Sequence, residues 1–64
     1  MILRRVGDLN TASDNVRLED GRLWNVYEVR PIEGTAYVEV HLRRTVGDEL
    51  VLCLRPDDLI LLAI

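Results

Sequence analysis

The sequence predicts a single all-β domain, and three observations support this class. Apolar and polar residues alternate over short stretches, which is the two-residue period of a strand with one buried face. Turn-forming residues, with glycine or proline among them, separate these stretches. No stretch continues with the apolar spacing of an amphipathic helix. The chain has 64 residues, so we expect one domain (residues 1–64) with a small core and a modest stability.

The first part of the chain, residues 1–15, predicts a short edge strand or arm and then a polar loop. Residues 1–6 can form the strand, and Gly7-Asp8 ends it. Residues 9–15 are rich in side chains that hydrogen-bond their own backbone in turns. The barrel-forming strands are then expected within residues 16–64.

The centre of the chain is a long hairpin over residues 22–43, which contains all three aromatic residues. Before it, residues 16–19 alternate and meet Asp20-Gly21. This pair favours a hairpin with a type I′ turn, because both residues tolerate positive φ. Between the arms of the long hairpin, residues 31–34 predict a four-residue loop in which Gly34 takes the left-handed conformation.

The first arm of the long hairpin, over residues 22–30, does not alternate cleanly. A β-bulge near Tyr27 would bring Trp24, Val26 and Val29 to one side of the strand. Without the bulge, Asn25 would be buried without partners, at a cost of about 1–3 kcal/mol. We therefore predict the bulge, with Trp24 in the core.

Three further elements follow. Residues 36–43 predict the third barrel strand, and residues 49–54 the fourth. Residues 55–59 predict one turn of 3-10 helix, with Leu59 closing the end of the barrel. Residues 60–64 predict a last strand that is apolar on both faces. The residues expected to face the core are Ala36, Val38, Val40, Leu42, Leu50, Leu52 and Leu54.

This pattern resembles the Src-homology-3-like small barrels, in which five short strands include hairpins between the middle ones and a 3-10 turn just before the last. The resemblance rests on residues 16–24 and 54–60. The resemblance implies a small barrel of five or six short antiparallel strands with an added N-terminal strand or arm. The alternative fold is an open β-sandwich or a fragment of an oligonucleotide-binding fold. The chain is also similar to very short barrel proteins of phages and actinobacteria, in its size, its arginine bias and its Asp-Gly hairpin.

Composition argues against several classes of function. The eight arginines and eleven acids give a net charge of −3, which disfavours non-specific nucleic-acid binding. The single cysteine and single histidine predict neither a disulfide nor a zinc site. No nucleophile–base pair or phosphate-binding loop is present, so we expect a non-enzymatic protein without a cofactor or a small-molecule substrate. A free thiol and the lack of an export signal or membrane-spanning run indicate a cytoplasmic location.

The last two strands predict a protein interface. If the leucines of residues 49–54 face inward, the side chains between them face outward, and one apolar face of the last strand stays exposed in a monomer. A contiguous exposed apolar patch is typical of an interaction site for a protein partner or a second copy of the chain. The alternative is that Ile2 and Leu3 of the N-terminal strand cover this patch. The interface residues we expect are Val51, Cys53, Leu62 and Ile64.

A second hypothesis is nucleic-acid binding through an outward row on the third strand. An aromatic residue followed by cations could stack on bases and pair with phosphates. Glu39 lies within the same row and would offset part of its charge. The residues of this candidate row are Arg22, Tyr37, His41, Arg43 and Arg44.

Overall fold

The structure, a computed structural model, describes residues 2–45 and 47–63. Over these residues it confirms an all-β fold, with six antiparallel strands in one sheet and one short 3-10 helix. The strands are β1 (Ile2–Arg5), β2 (Asn15–Arg17), β3 (Leu23–Pro31), β4 (Val38–Thr45), β5 (Asp48–Leu54) and β6 (Leu59–Leu62), and the 3-10 helix is Val6–Asp8.

The strand order across the sheet is β1-β6-β2-β3-β4-β5. Strands β2 to β5 are sequential antiparallel neighbours, and β6 returns to lie between β1 and β2. Within residues 2–45 and 47–63, no strand pairing joins β1 to β5. The two edges therefore stay open, and the sheet does not close into a barrel.

The predicted bulge in β3 is confirmed. The pairing between β3 and β4 shifts register between Val26 and Glu28, which leaves Tyr27 as the extra residue. Trp24 and Val26 are consequently buried on the same face, and Val29 packs against that core. Asn25 faces the other way, where its Nδ2 donates to the carbonyl oxygens of Ala12 and Asp14 at 3.3 Å each.

The turn at Asp20-Gly21 joins β2 to β3 as expected, but it is not of type I′. Gly21 has a φ of +80°, whereas Asp20 is not among the residues with positive φ. The Gly21 N–H donates to the Leu18 carbonyl at 2.9 Å, and the Leu18 N–H to the Arg22 carbonyl at 3.2 Å. This is a three-residue loop that ends in a glycine bulge. The predicted left-handed glycine at position 34 is confirmed, with a φ of +80°.

The core lies on one face of the curved sheet. Valine and leucine side chains from β2, β3, β4 and β6 fill it, with Trp24 at 6% exposure. The Nε1–H of Trp24 is buried and finds no acceptor among the described residues. The inward leucines of β5 pack against this core, as predicted, whereas Ala36 lies outside β4 and is exposed. The buried residues are Val6, Val16, Trp24, Val26, Val38, Val40, Leu42, Ile60 and Leu62.

The 3-10 helix lies near the N-terminus instead of before the last strand. Residues Val6–Asp8 form it, and it is attached to the turn before β6 because the Val6 N–H donates to the Asp58 carbonyl at 2.8 Å. At residues 55–58 there is a single turn, closed by the Asp58 N–H and the Arg55 carbonyl at 3.0 Å. The expectation that Leu59 closes the barrel end is wrong, since Leu59 is 59% exposed.

Candidate interaction surface

The predicted interface residues do not lie together. Val51 is 50% exposed and Cys53 is exposed, both on the outer face of β5. Leu62 is only 4% exposed, because it pairs with Val16 and packs into the core. It therefore cannot contact a partner in this fold, which corrects the prediction. Ile64 lies outside the described residues.

The exposed apolar face of the last strand is the opposite one, and it continues onto β1. Leu3 pairs with Leu61, and Arg5 pairs with Leu59. Directly opposed residues of an antiparallel pair point to the same face, so the three leucines share one surface. Leu3 and Leu59 are each 59% exposed, and Leu61 is half-buried. We call this surface of Leu3, Leu59 and Leu61 the outer leucine face.

The N-terminal strand does not cover this surface. β1 lies beside β6 in the same sheet, along the register from Ile2–Leu62 to Arg5–Leu59. It therefore widens the outer leucine face instead of burying it. Ile2 itself is 48% exposed, because β1 is an edge strand.

Sequence reasoning missed Leu3 and Leu59 as surface residues for an identifiable reason. The final stretch is apolar on both faces, so alternation alone cannot say which face is inward. The pairing of Val16 with Leu62 determines which face of the last strand is buried. A pairing between residues so distant in sequence leaves no signal in the local pattern. The exposed Leu23 (47%) pairs with Arg17 on the neighbouring strands and adds to the apolar character of this side of the sheet.

Two residues of the candidate nucleic-acid row, His41 and Arg43, lie together around Tyr27. The Arg43 guanidinium is 4.4 Å from the centre of the Tyr27 ring, a cation–π contact. The His41 ring meets the same ring edge-on, with centroids 5.7 Å apart. Each of the two residues also has a carboxylate close by, Glu49 at 3.6 Å from Arg43 and Glu39 at 3.2 Å from the His41 ring.

Hydrogen bonding changes the ionisation of two groups in this cluster. The Tyr27 hydroxyl donates to Glu49 Oε1 at 2.7 Å. This bond stabilises the carboxylate, so it lowers the pKa of Glu49, and the nearby Arg43 charge lowers it further. The same hydrogen bond raises the pKa of Tyr27, because the phenol would lose it on ionising beside an anion.

The other three residues of the row lie elsewhere. Arg44 points to the core side of the sheet, 5.4 Å from the Trp24 ring centre, and pairs with Asp48 at 3.1 Å. Arg22 is beside Asp20 in the β2–β3 turn, at 3.8 Å. Tyr37 lies just before β4, where the Arg55 guanidinium is 5.6 Å from its ring centre. The predicted row is thus divided among four places, and its arginines have acidic neighbours.

Two acidic residues in turns accept hydrogen bonds from the backbone of the same turn. Asp20 accepts a hydrogen bond from the Arg22 N–H, and Asp58 one from the Arg55 N–H, each at 2.9 Å. Among residues 2–45 and 47–63, no group of three or more possible metal ligands converges. Beside the β2–β3 turn is an open cleft of about 370 Å³, lined by Leu18, Glu19, Asp20 and Leu52.

Comparisons with protein-family models, curated proteins and solved structures give no match to this chain. In the part of the chain that the structure describes, no helix has the length and apolar character needed to cross a bilayer.

Proposed function

We propose that the protein is a non-enzymatic interaction module that binds a protein partner through the outer leucine face. One observation carries this proposal: Leu3 and Leu59, on adjacent strands of the same face, are each 59% exposed. In a domain this small, leaving large aliphatic side chains in water forgoes about 1.5–3 kcal/mol for each one that could be buried. A partner that covers this face would recover that free energy.

The chemistry of the surface suggests the chemistry of the partner. The centre is aliphatic, and Arg5 at the rim is paired with Asp8 at 3.4 Å. A partner with an apolar centre and a neutral polar rim fits this arrangement, because the leucines would supply most of the affinity and the charged rim little. The surface spans two paired strands, which favours another folded surface or a short amphipathic segment as the partner.

We also propose that the fold is of the Src-homology-3-like class. Strands β2 to β6 have hairpins between the middle strands and a turn just before the last, the features on which the resemblance to Src-homology-3-like barrels rests. We assign the chain to that class as an incompletely closed member with an added N-terminal strand. A cytoplasmic location is part of the proposal, supported by the exposed free thiol of Cys53.

Protein binding is better supported than the alternative, nucleic-acid binding. Arg43 and Arg44 each lie within 3.6 Å of a carboxylate and on opposite faces of β4. Phosphate binding would have to break those pairs within a chain of net charge −3. We expect no mobility shift of DNA or RNA at about 50 mM salt, where phosphate contacts are strong. A salt-sensitive shift that Arg43→Ala removes would favour the alternative.

Affinity capture with matched variants tests the proposed surface. The wild type, Leu3→Glu, Leu59→Glu and the control Glu33→Lys are immobilised and exposed to the same lysate. Glu33 is exposed in the β3–β4 loop, away from the outer leucine face. We expect at least one protein to be retained by wild type and control and lost with both leucine variants. Retention that is equal on all four would contradict the proposal.

A further inference from the structure

Among residues 2–45 and 47–63, no strand pairs with the second edge of β5. This strand pairs with β4 on one side, and no other described backbone hydrogen bond involves residues 48–54. β5 is seven residues long and contains neither proline nor a basic residue. The opposite edge strand, β1, is four residues long and carries Arg4 and Arg5. Short length and positive charge protect an edge from pairing, so β5 is the unprotected edge.

We propose that this edge pairs antiparallel with β5 of a second copy of the chain, in the register that places Leu52 opposite the partner's Leu52. An antiparallel pair of identical strands is related by a two-fold axis, so each contact occurs twice and the assembly closes as a dimer. The surface is separate from the outer leucine face, and the inference does not depend on the function proposed above.

Charge complementarity selects this register. With Leu52 on the two-fold axis, Glu49 lies opposite the partner's Arg55. The Glu49 side chain is 48% exposed, and its contacts with Tyr27 and Arg43 are both made by Oε1, so Oε2 would receive the partner's Arg55. The Arg55 guanidinium stacks over Tyr37 at 5.6 Å and makes no ion pair within 4.0 Å among the described residues, although its backbone N–H donates to Asp58 Oδ2 at 2.9 Å. Two symmetric ion pairs would therefore form at the ends of the interface.

The apolar residues of β5 agree with the same register. On the outer face, Val51 would lie opposite the partner's Cys53, and both residues are exposed in the single chain. On the inner face, Leu52 borders the open cleft of about 370 Å³, which leaves room for the partner's Leu52.

Neighbouring registers match less well. Centring the pair on Val51 would oppose Glu49 to the partner's Cys53, so neither Glu49 nor Arg55 would face an opposite charge across the interface. Centring it on Cys53 would oppose Val51 to the partner's Arg55, an apolar side chain against a cation. A register that opposed an odd-numbered residue to an even-numbered one is excluded, because directly opposed residues must share a face of the sheet.

Cysteine cross-linking tests the register directly. In Val51→Cys, the introduced thiol would lie opposite Cys53 of the partner subunit, with β-carbons about 4.5–5.5 Å apart, close enough for a disulfide after a small adjustment. In the wild type, Cys53 and the partner's Cys53 would be about 8 Å apart at their α-carbons, too far for a bridge. Leu59→Cys is the control, because Leu59 is 59% exposed against 50% for Val51 and lies on a strand with two neighbours.

We expect mild oxidation to convert Val51→Cys largely to a covalent dimer, with peptide mapping that joins position 51 to position 53. The wild type and Leu59→Cys should dimerise at least ten-fold more slowly. A bridge between the two introduced thiols would mean another register, and no excess of dimer over the controls would mean no pairing. Either result overturns the proposal.

Sedimentation equilibrium tests the charges without any covalent trapping. We expect a concentration-dependent dimer that Arg55→Glu weakens about ten-fold and Arg55→Lys less than three-fold. The same charge change on the other edge, Arg5→Glu, should leave the dimer unchanged, as should Leu59→Glu. A wild-type monomer at concentrations up to about 1 mM, or equal effects of Arg55→Glu and Arg5→Glu, would overturn the proposal.

Discussion

The Tyr27 hydroxyl donates a 2.7 Å hydrogen bond to Glu49 Oε1 across 22 residues of sequence. The bulge in β3 makes this possible, because it gives Tyr27 an extra position between Val26 and Glu28. The hydrogen bond links β3 to β5 over the intervening strand β4, and Arg43 of β4 lies over the Tyr27 ring. On the outer face of the sheet, Tyr27 of β3 therefore contacts both β4 and β5.

This hydrogen bond gives a pH dependence with a defined sign. The pKa of Glu49 is lowered in the folded protein, first by the Tyr27 hydroxyl. The carboxylate thus stabilises the fold above its ordinary pKa, and this contribution is lost as the pH falls through the lowered value. In Tyr27→Phe, we expect NMR titration to show a rise in the Glu49 pKa, and a smaller loss of stability on acidification. Tyr37→Phe is the control, and an equal rise in that variant would contradict the assignment.

A second prediction concerns the ion pair between Arg4 and Asp14. Arg4 Nη1 is 2.9 Å from Asp14 Oδ2, and only 13% of the Asp14 side chain is exposed. The same oxygen accepts the Asn10 N–H at 2.8 Å. Because Asp14→Ala leaves these donors unpaired, we expect it to lower the free energy of unfolding by about 1–3 kcal/mol, measured by urea denaturation.

The matched control for that experiment is Asp8→Ala. Asp8 pairs with Arg5 at 3.4 Å, but both side chains are 61% exposed. Exposed ion pairs contribute about 0–1 kcal/mol, so the control should cost clearly less than Asp14→Ala. Equal losses in the two variants would mean that burial of Asp14 has no energetic consequence.

A third prediction compares two backbone positions with positive φ. Ala12 has a φ of 69° and Gly34 a φ of +80°. Left-handed geometry costs a residue with a β-carbon about 1–2 kcal/mol, while glycine adopts it without that penalty. Gly34→Ala should therefore destabilise by about 1 kcal/mol, although an added β-carbon meets nothing within 4 Å.

The reverse change, Ala12→Gly, should be neutral or stabilising by thermal denaturation, since relief of strain offsets the added flexibility of the unfolded chain. A loss above about 1 kcal/mol in Ala12→Gly would contradict the left-handed assignment at this position.

A fourth prediction separates the core from the surface with two leucines. Leu42 is fully buried, whereas Leu59 is 59% exposed. Leu42→Ala should cost about 2–5 kcal/mol, enough to unfold much of a small domain. Leu59→Ala should change stability by about 0.5 kcal/mol or less. A large loss in Leu59→Ala would show that this side chain is packed and would remove it from the outer leucine face.

The local alternation of apolar and polar residues was sufficient to predict where most strands lie. Alternation located the strands, and the conflict between Trp24 and Asn25 predicted the bulge at Tyr27. Gly34 was assigned its left-handed conformation from the turn sequence alone. The predicted type I′ turn at Asp20-Gly21 was wrong. Both type I′ turns and glycine-bulge loops accept this pair, and the register of the flanking strands determines which of the two forms.

The candidate sites depended on contacts between residues that are far apart in sequence, and local alternation does not reveal such contacts. Leu62 was assigned to the surface, but its pairing with Val16 places it in the core. The predicted row places Arg43 and Arg44 on the same outward side, but successive side chains of a strand point to opposite faces, and Arg44 lies over Trp24 on the core side. The pairing of strands distant in sequence therefore decides which face of the last strand reaches solvent.

The most direct measurement is calorimetric titration of a captured partner with the wild type and Leu59→Glu. We predict that Leu59→Glu weakens binding at least about 30-fold, or about 2 kcal/mol, the free energy of burying one leucine. The wild type should also bind with a negative heat-capacity change, the mark of apolar burial. An affinity unchanged by Leu59→Glu would contradict the assignment of the outer leucine face as the docking surface.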